Sequence, residues 1–165
     1  MTVDRGNREF KSSLFVDYFN DKEKLLEMYS AIIGEVVEPE VDIQINTLSD
    51  VLFKGLINDI SFVIDGRLVV LVEHQSTPNA NMPLRMLQYY NEIIKRRMDD
   101  TDSRAIYWTK LHKIPRPEFI VLYNGTTPID DKETLRLSDA FEEGEAKGQL
   151  ELTVTMYNIN PGHNE

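Results

Sequence analysis

Three polar residues interrupt a pair of apolar segments in a way that could support chemistry. Asp59 lies in the segment INDISFVI (57–64), and Glu73 and Gln75 lie at the end of RLVVLVE and just beyond it (67–75), where the apolar run Leu68–Val72 gives way to polar residues. Residues two apart in a strand point to the same face, so Glu73 and Gln75 act as a unit. An ionised carboxylate at the end of a buried strand costs several kcal/mol unless something neutralises it, and a hard divalent cation with oxygen ligands can do so. The chain has no cysteine, so a bound metal must be held by oxygen or imidazole, which favours Mg²⁺ or Mn²⁺ over structural zinc. An Asp and a Glu in a hairpin are, on spacing alone, more often solvated or ion-paired surface residues.

Register decides whether the two carboxylates can cooperate. Asp65-Gly66 joins the two apolar segments and is a strong hairpin signal. A two-residue loop there pairs Ile64 with Arg67, and so Asp59 with Val72, which puts Asp59 and Glu73 on opposite faces. A turn centred on Ile64-Asp65, with Gly66 left-handed as a bulge, pairs Asp59 with Leu71 and returns Asp59 to the face of Glu73. The catalytic reading therefore requires the bulged turn.

The elements that must position these residues follow from periodicity. Residues 7–33 carry Phe10, Leu14, Phe15, Tyr18, Phe19, Leu25, Leu26 and Tyr29 at helical spacing, with a break at Asn20-Asp21, Asp21 as a cap and Gly34 as the stop. Val41–Ile45 alternates like an edge strand. Asn81 and Pro83 open a helix whose apolar stripe is Leu84, Leu87, Tyr90, Ile94 and Met98, with Arg85, Tyr89, Glu92 and Arg96 on the other side. Residues 118–124 form a further strand ended by Gly125, and 149–157 a later one. The acidic stretch Glu142–Glu145 reads as a surface loop.

With 165 residues and 41% hydrophobic content, one globular domain over 1–165 is the expectation. The abrupt end at Pro161–Glu165 suggests truncation at the C-terminus. Charged residues run through the first thirty positions and no stretch reaches about 18 apolar residues, so neither a signal peptide nor a membrane span is expected, and the cytoplasm is the expected compartment. The net charge of −10 opposes nucleic-acid binding, yet residues 85–116 hold 8 basic and 4 acidic side chains and form a local positive segment.

Asn58-Asp59, then Glu73-His74-Gln75, then Arg85 followed by Tyr89, together with LVEHQSTPNANMPLRMLQYYNEI, FIVLYNGTTP and LRLSDAF, resemble the Rpn family of recombination-promoting nucleases, the transposase-like branch of the PD-(D/E)XK superfamily. The likeness covers roughly residues 7–165. It implies an α/β fold with a restriction-endonuclease-like αβββαβ core, its mixed central sheet flanked by helices, and metal-dependent hydrolysis of DNA phosphodiesters linked to recombination, mobile elements or phage defence. By that resemblance Asp59 and Glu73 are catalytic and hold Mg²⁺ or Mn²⁺ together with the carbonyl of His74, whose imidazole reads as structural. Gln75 stands where the superfamily's general pattern has lysine. It would orient the attacking water as a neutral amide, and Gln is usual in this branch.

Arg85 and Tyr89 fit either a phosphate clamp or a helix face packed on the sheet. Lys95-Arg96-Arg97 fits either a backbone contact or a solvated helix end. Asp17 or Glu27 could add a carboxylate. DNA is the expected partner, with room for a homodimer; RNA as substrate and a non-catalytic binding module on the same fold are the rivals.

Overall fold

The computed structural model describes residues 15, 17–38, 40–45, 60–65, 68–101, 104–142 and 149–163. Asp59 and Gly66 lie outside the described residues, as do Glu143 and Glu145 of the acidic stretch. The element order is α1 (Lys22–Ile33), β1 (Ile43–Ile45), β2 (Ile60–Ile64), β3 (Leu68–Gln75), α2 (Met82–Thr101), β4 (Arg116–Tyr123), β5 (Lys132–Arg136) and β6 (Thr153–Asn158), with short 3₁₀ turns at Ala105–Tyr107 and Leu137–Ala140.

Local chemistry sets the bounds of α1. The Asp21 side chain accepts from the backbone N–H of Glu23 and Lys24 at 3.0 and 3.2 Å, which satisfies two of the unpaired donors at the helix start. Gly34, at φ 72°, ends the helix by donating its N–H to Ser30 O, a left-handed backbone that costs glycine little. Asp21 and Gly34 do here what their positions in the sequence predict.

The six strands form one mixed sheet in the order β1-β2-β3-β4-β6-β5. β3, β4 and β6 run parallel at its centre, and β1, β2 and β5 are antiparallel to their neighbours. The crossover from β3 to β4 is made by α2, as a parallel pair requires. On one face Leu25, Met28 and Tyr29 of α1 pack with Ile60, Phe62, Val70, Val72, Ile120 and Leu122. On the other, Met82, Met86, Tyr89 and Ile93 of α2 pack with Val63, Leu71, Val121, Tyr123, Val154 and Met156. Both faces are covered, so the central strands read as unbroken apolar runs. This is the mixed α/β sheet flanked by helices that a restriction-endonuclease-like core needs.

Three expectations change. The hairpin takes neither of the two registers weighed above: Ile60 pairs with Val72 and Ile64 with Leu68, so Ser61, not Asp59, stands opposite Leu71. β2 ends at Ile64 and β3 begins at Leu68. Asp65 itself adopts the positive φ of 50°, a conformation aspartate tolerates better than most residues. Two bonds to Asp42 hold it there: its N–H donates to Asp42 O at 2.9 Å, and its Oδ1 accepts from Asp42 N at 3.2 Å. In this register the odd-numbered residues of β2 still share a face with Glu73.

The second change is in α2, whose buried stripe is Met82, Met86, Tyr89 and Ile93, whereas Leu84 is 43% exposed. The sheet draws in the larger ring of Tyr89 and the adaptable methionines, and the predicted stripe is rotated by part of a turn. Third, β5 was not legible: in KETLR only Leu135 is a large apolar residue, and the strand exists through its pairing with β6. Among the described residues no helix is long and apolar enough to cross a membrane.

Gly125, just after β4, leaves no room for a side chain. A Cβ there would run into the backbone carbonyl of Ser76 and the ring of Tyr123. Because the Ser76 carbonyl is main chain and cannot swing away, Gly125→Ala is expected to lower stability by about 1–3 kcal/mol, the usual cost of overpacking. Urea unfolding checks this; an unchanged midpoint and slope would contradict it.

Candidate active site

The carboxyl ends of parallel strands are where open α/β sheets place their ligands. Here that edge is formed by Glu73 and Gln75 of β3, Tyr123 and Asn124 at the end of β4, and Asn158 at the end of β6. Main-chain bonds fix it: Asn124 N–H donates to Gln75 O at 3.0 Å, and Ile159 N–H donates to Tyr123 O at 2.8 Å.

Glu73 and Gln75 are both buried, at 4% and 9% exposure. They lie on the α2 face of the sheet, and α2 begins immediately above them. Arg85 Nη2 donates to Glu73 Oε2 at 2.9 Å, forming an ion pair in which the Glu73 side chain is enclosed and the Arg85 side chain is 36% exposed. The same guanidinium donates to the Tyr89 hydroxyl from Nη2 at 2.6 Å and from Nε at 3.1 Å, and Tyr89 is 2% exposed. Thus the i, i+4 pair forms a chain from Tyr89 through Arg85 to Glu73. A charge-assisted bond of this kind is one way to keep an ionised carboxylate in a buried position.

Gln75 is held differently. Its Nε2 donates to Met82 Sδ at 2.6 Å, while its Oε1 is buried with no hydrogen-bond partner among the described residues. The Oδ1 of Asn124 is likewise buried without a partner. A buried amide oxygen left unmatched costs about 1–3 kcal/mol, so two such oxygens at the ends of neighbouring strands mark where a donor or a cation would be favourable.

A family model described as "Putative transposase, YhgA-like" matches residues 40–158. The chain belongs to this family. It is the Rpn and PD-(D/E)XK branch that the residue pattern resembles. No curated protein and no solved structure matches the chain.

Within this YhgA-like family chain, the predicted site residues fall into separate groups. Glu73, Gln75, Arg85 and Tyr89 come together on the α2 face. His74 alternates to the α1 face, away from Glu73, where its imidazole stacks on Phe15 with centroids 5.0 Å apart. Glu27 is exposed on α1, the helix that packs on the opposite face of the sheet from Glu73. Asp17 is exposed just before that helix. Arg96 sits three turns along α2 from Arg85, partly exposed, and is not part of the Glu73 cluster. Asp59 lies outside the described residues, and among those described there is no group of three or more His, Cys, Asp or Glu that could hold a metal.

Sequence reasoning missed Met82 and Asn124. The signal for Asn124 was present, since it follows the last buried residue of β4 and precedes the constrained Gly125. The Met82 contact has no signature in the sequence.

The Glu73 carboxylate at this edge suits a hard cation, although Arg85 engages its Oε2. Arg85→Met is therefore expected to have two effects. Stability falls by about 1–3 kcal/mol, less than for a fully buried pair because the guanidinium is part exposed. Mg²⁺ then raises the melting temperature of the variant more than that of the wild type, since the competing cation is gone. Equal Mg²⁺ responses in the two proteins would show that Arg85 and a metal do not share Glu73.

Proposed function

We propose that this protein is a metal-dependent nuclease that hydrolyses DNA phosphodiesters. The observation that carries the reading is the buried pair of Glu73 and Gln75 at the carboxyl end of the central parallel strands, in a chain of a transposase family. Asp59, Glu73 and the His74 carbonyl would hold Mg²⁺ or Mn²⁺. That ion, when bound, lowers the pKa of a coordinated water and stabilises charge developing on the phosphate.

The chain's own residues have distinct tasks in this reading. Glu73 supplies a fixed carboxylate, and Arg85 with Tyr89 sets its orientation. The unmatched Oε1 of Gln75 accepts a hydrogen bond from the attacking water and so orients it. Arg85, one third exposed, is the side chain of this cluster that could also meet a phosphate oxygen. The reading requires Asp59 and Glu73 to share a face, and the register of β2 on β3 has the parity that this needs.

The test is incubation of supercoiled plasmid, linear DNA and RNA with the protein and Mg²⁺ or Mn²⁺, with a chelator control. Cleavage that stops on chelation supports the reading, and the RNA arm fixes the sugar preference. No cleavage of any substrate with either ion would favour the second reading, a non-catalytic binding module. The Arg85–Glu73 ion pair and the neutral residue at position 75 are the observations in its favour.

A further inference from the structure

At the other end of the sheet, the connection from α2 to β4 carries an unusual surface. Tyr107 is 82% exposed, Trp108 55% and Leu111 80%. Lys110 and Lys113 beside them are exposed as well. From residue 103 to 117 the sequence has no carboxylate, in a chain whose net charge is −10. Arg104 and Arg116 bracket the segment, Arg116 pairing with Glu118 at 2.7 Å. The backbone beneath is anchored: Ala105 is 2% exposed, Tyr107 and Trp108 donate into the 3₁₀ turn, and the Pro115 carbonyl accepts from the Tyr90 hydroxyl at 2.5 Å.

We propose that this loop, residues 104–115, is a docking surface for single-stranded nucleic acid, with Tyr107 and Trp108 stacking on bases and Lys110 and Lys113 meeting phosphates. Exposed rings between cations are the combination that binds single strands irrespective of sequence, because every base has a flat face and every linkage a charge. Rings of this kind need unstacked bases, which a duplex does not offer. An anionic membrane fits less well: interfacial anchoring uses a long amphipathic helix, and the only helical turn in this loop is the three-residue Ala105–Tyr107.

The surface is also well placed for a long substrate. The loop precedes Arg116, which pairs with Leu68 at the start of β3, whereas Glu73 and Gln75 lie at the other end of that strand. The 20 residues of α2 link the two ends, a span of about 30 Å. A strand held at the loop would therefore be gripped well away from Glu73. The inference adds to the nuclease reading but uses none of the residues proposed for cleavage.

Trp108 is the only tryptophan in the chain, so its emission reports on this surface alone. The experiment titrates the full chain, in EDTA to prevent cleavage, with an unlabelled thymidine oligonucleotide, with polyglutamate and with phosphatidylglycerol vesicles. Saturable quenching by the oligonucleotide, weakening as salt rises, is expected. In anisotropy with a labelled oligonucleotide, Tyr107→Ala and the pair Lys110→Glu with Lys113→Glu should each weaken binding by roughly five- to a hundredfold, the range for losing one stacked base or two phosphate contacts. These side chains are exposed, so the variants should remain folded, which circular dichroism checks. An emission blind to the oligonucleotide, or variants that bind it as well as wild type, would overturn the proposal. So would a response confined to polyglutamate, which would mean an acidic protein partner, or a blue shift confined to vesicles. Binding without cleavage in Mg²⁺ would leave this inference standing and remove the nuclease reading; cleavage without binding at the loop would do the reverse.

Discussion

Glu73→Gln is expected to lower Mg²⁺-dependent DNA cleavage on the order of a thousandfold while leaving the protein folded. The substitution removes the charge and keeps the shape. Because Glu73 is 4% exposed, a neutral amide is easier to bury than the carboxylate was, and its carbonyl oxygen can still accept from Arg85. The guanidinium loses its counter-charge, but the Arg85 side chain is one third exposed and water can reach it. The two changes oppose each other, so the net change in stability should stay within about 1–2 kcal/mol. Single-turnover cleavage and a thermal melt on the same sample separate the two quantities. A variant that melts like wild type and cleaves like wild type would sink the assignment of Glu73. Asp59→Asn should behave as Glu73→Gln does, since both carboxylates are proposed to hold one ion.

How much of this site could be read in advance depends on how local its causes are. Asp21 and Gly34 act within one helical turn, and the sequence predicts both. Glu73 and Gln75 stand out because five apolar residues end where they begin, a pattern that needs no knowledge of neighbours. The turn was different. Asp65 takes a left-handed backbone because Asp42, more than twenty residues earlier, holds it from both sides, and no local rule contains that contact. Likewise, Leu84 and Tyr89 compete for the buried side of α2, and the outcome is set by the shape of the sheet beneath. By sequence alone, Arg85 and Tyr89 fit either a phosphate clamp or a packing pair. In the structure Tyr89 is core and Arg85 bridges it to Glu73, an arrangement that depends on the start of α2 lying over the end of β3.

Gln75 is the position where sequence and structure together make the sharpest claim. Its Nε2 is held by Met82 Sδ, so the amide is oriented, and its Oε1 has no partner among the described residues, as a positioning group for water should. Gln75→Ala is expected to lower the rate of cleavage roughly ten- to a thousandfold, in keeping with loss of one positioned polar group. Mg²⁺ affinity should change little, because the charge on Glu73 is untouched. Stability need not fall, since removing a buried, half-satisfied amide offsets the cavity it leaves. Gln75→Lys tests the same point from the other side. Lysine would restore the positive charge of the general superfamily pattern on the same face of β3 as Glu73, beside the attacking water and the phosphate. If water orientation and transition-state charge are what position 75 controls, Gln75→Lys keeps or raises the rate where Gln75→Ala loses it. Single-turnover rates at saturating Mg²⁺, with ion affinity measured separately by calorimetry, distinguish these effects. Should Gln75→Ala cleave as fast as wild type, the water is oriented by another group, and Gln75 serves only the contact of its Nε2 with Met82.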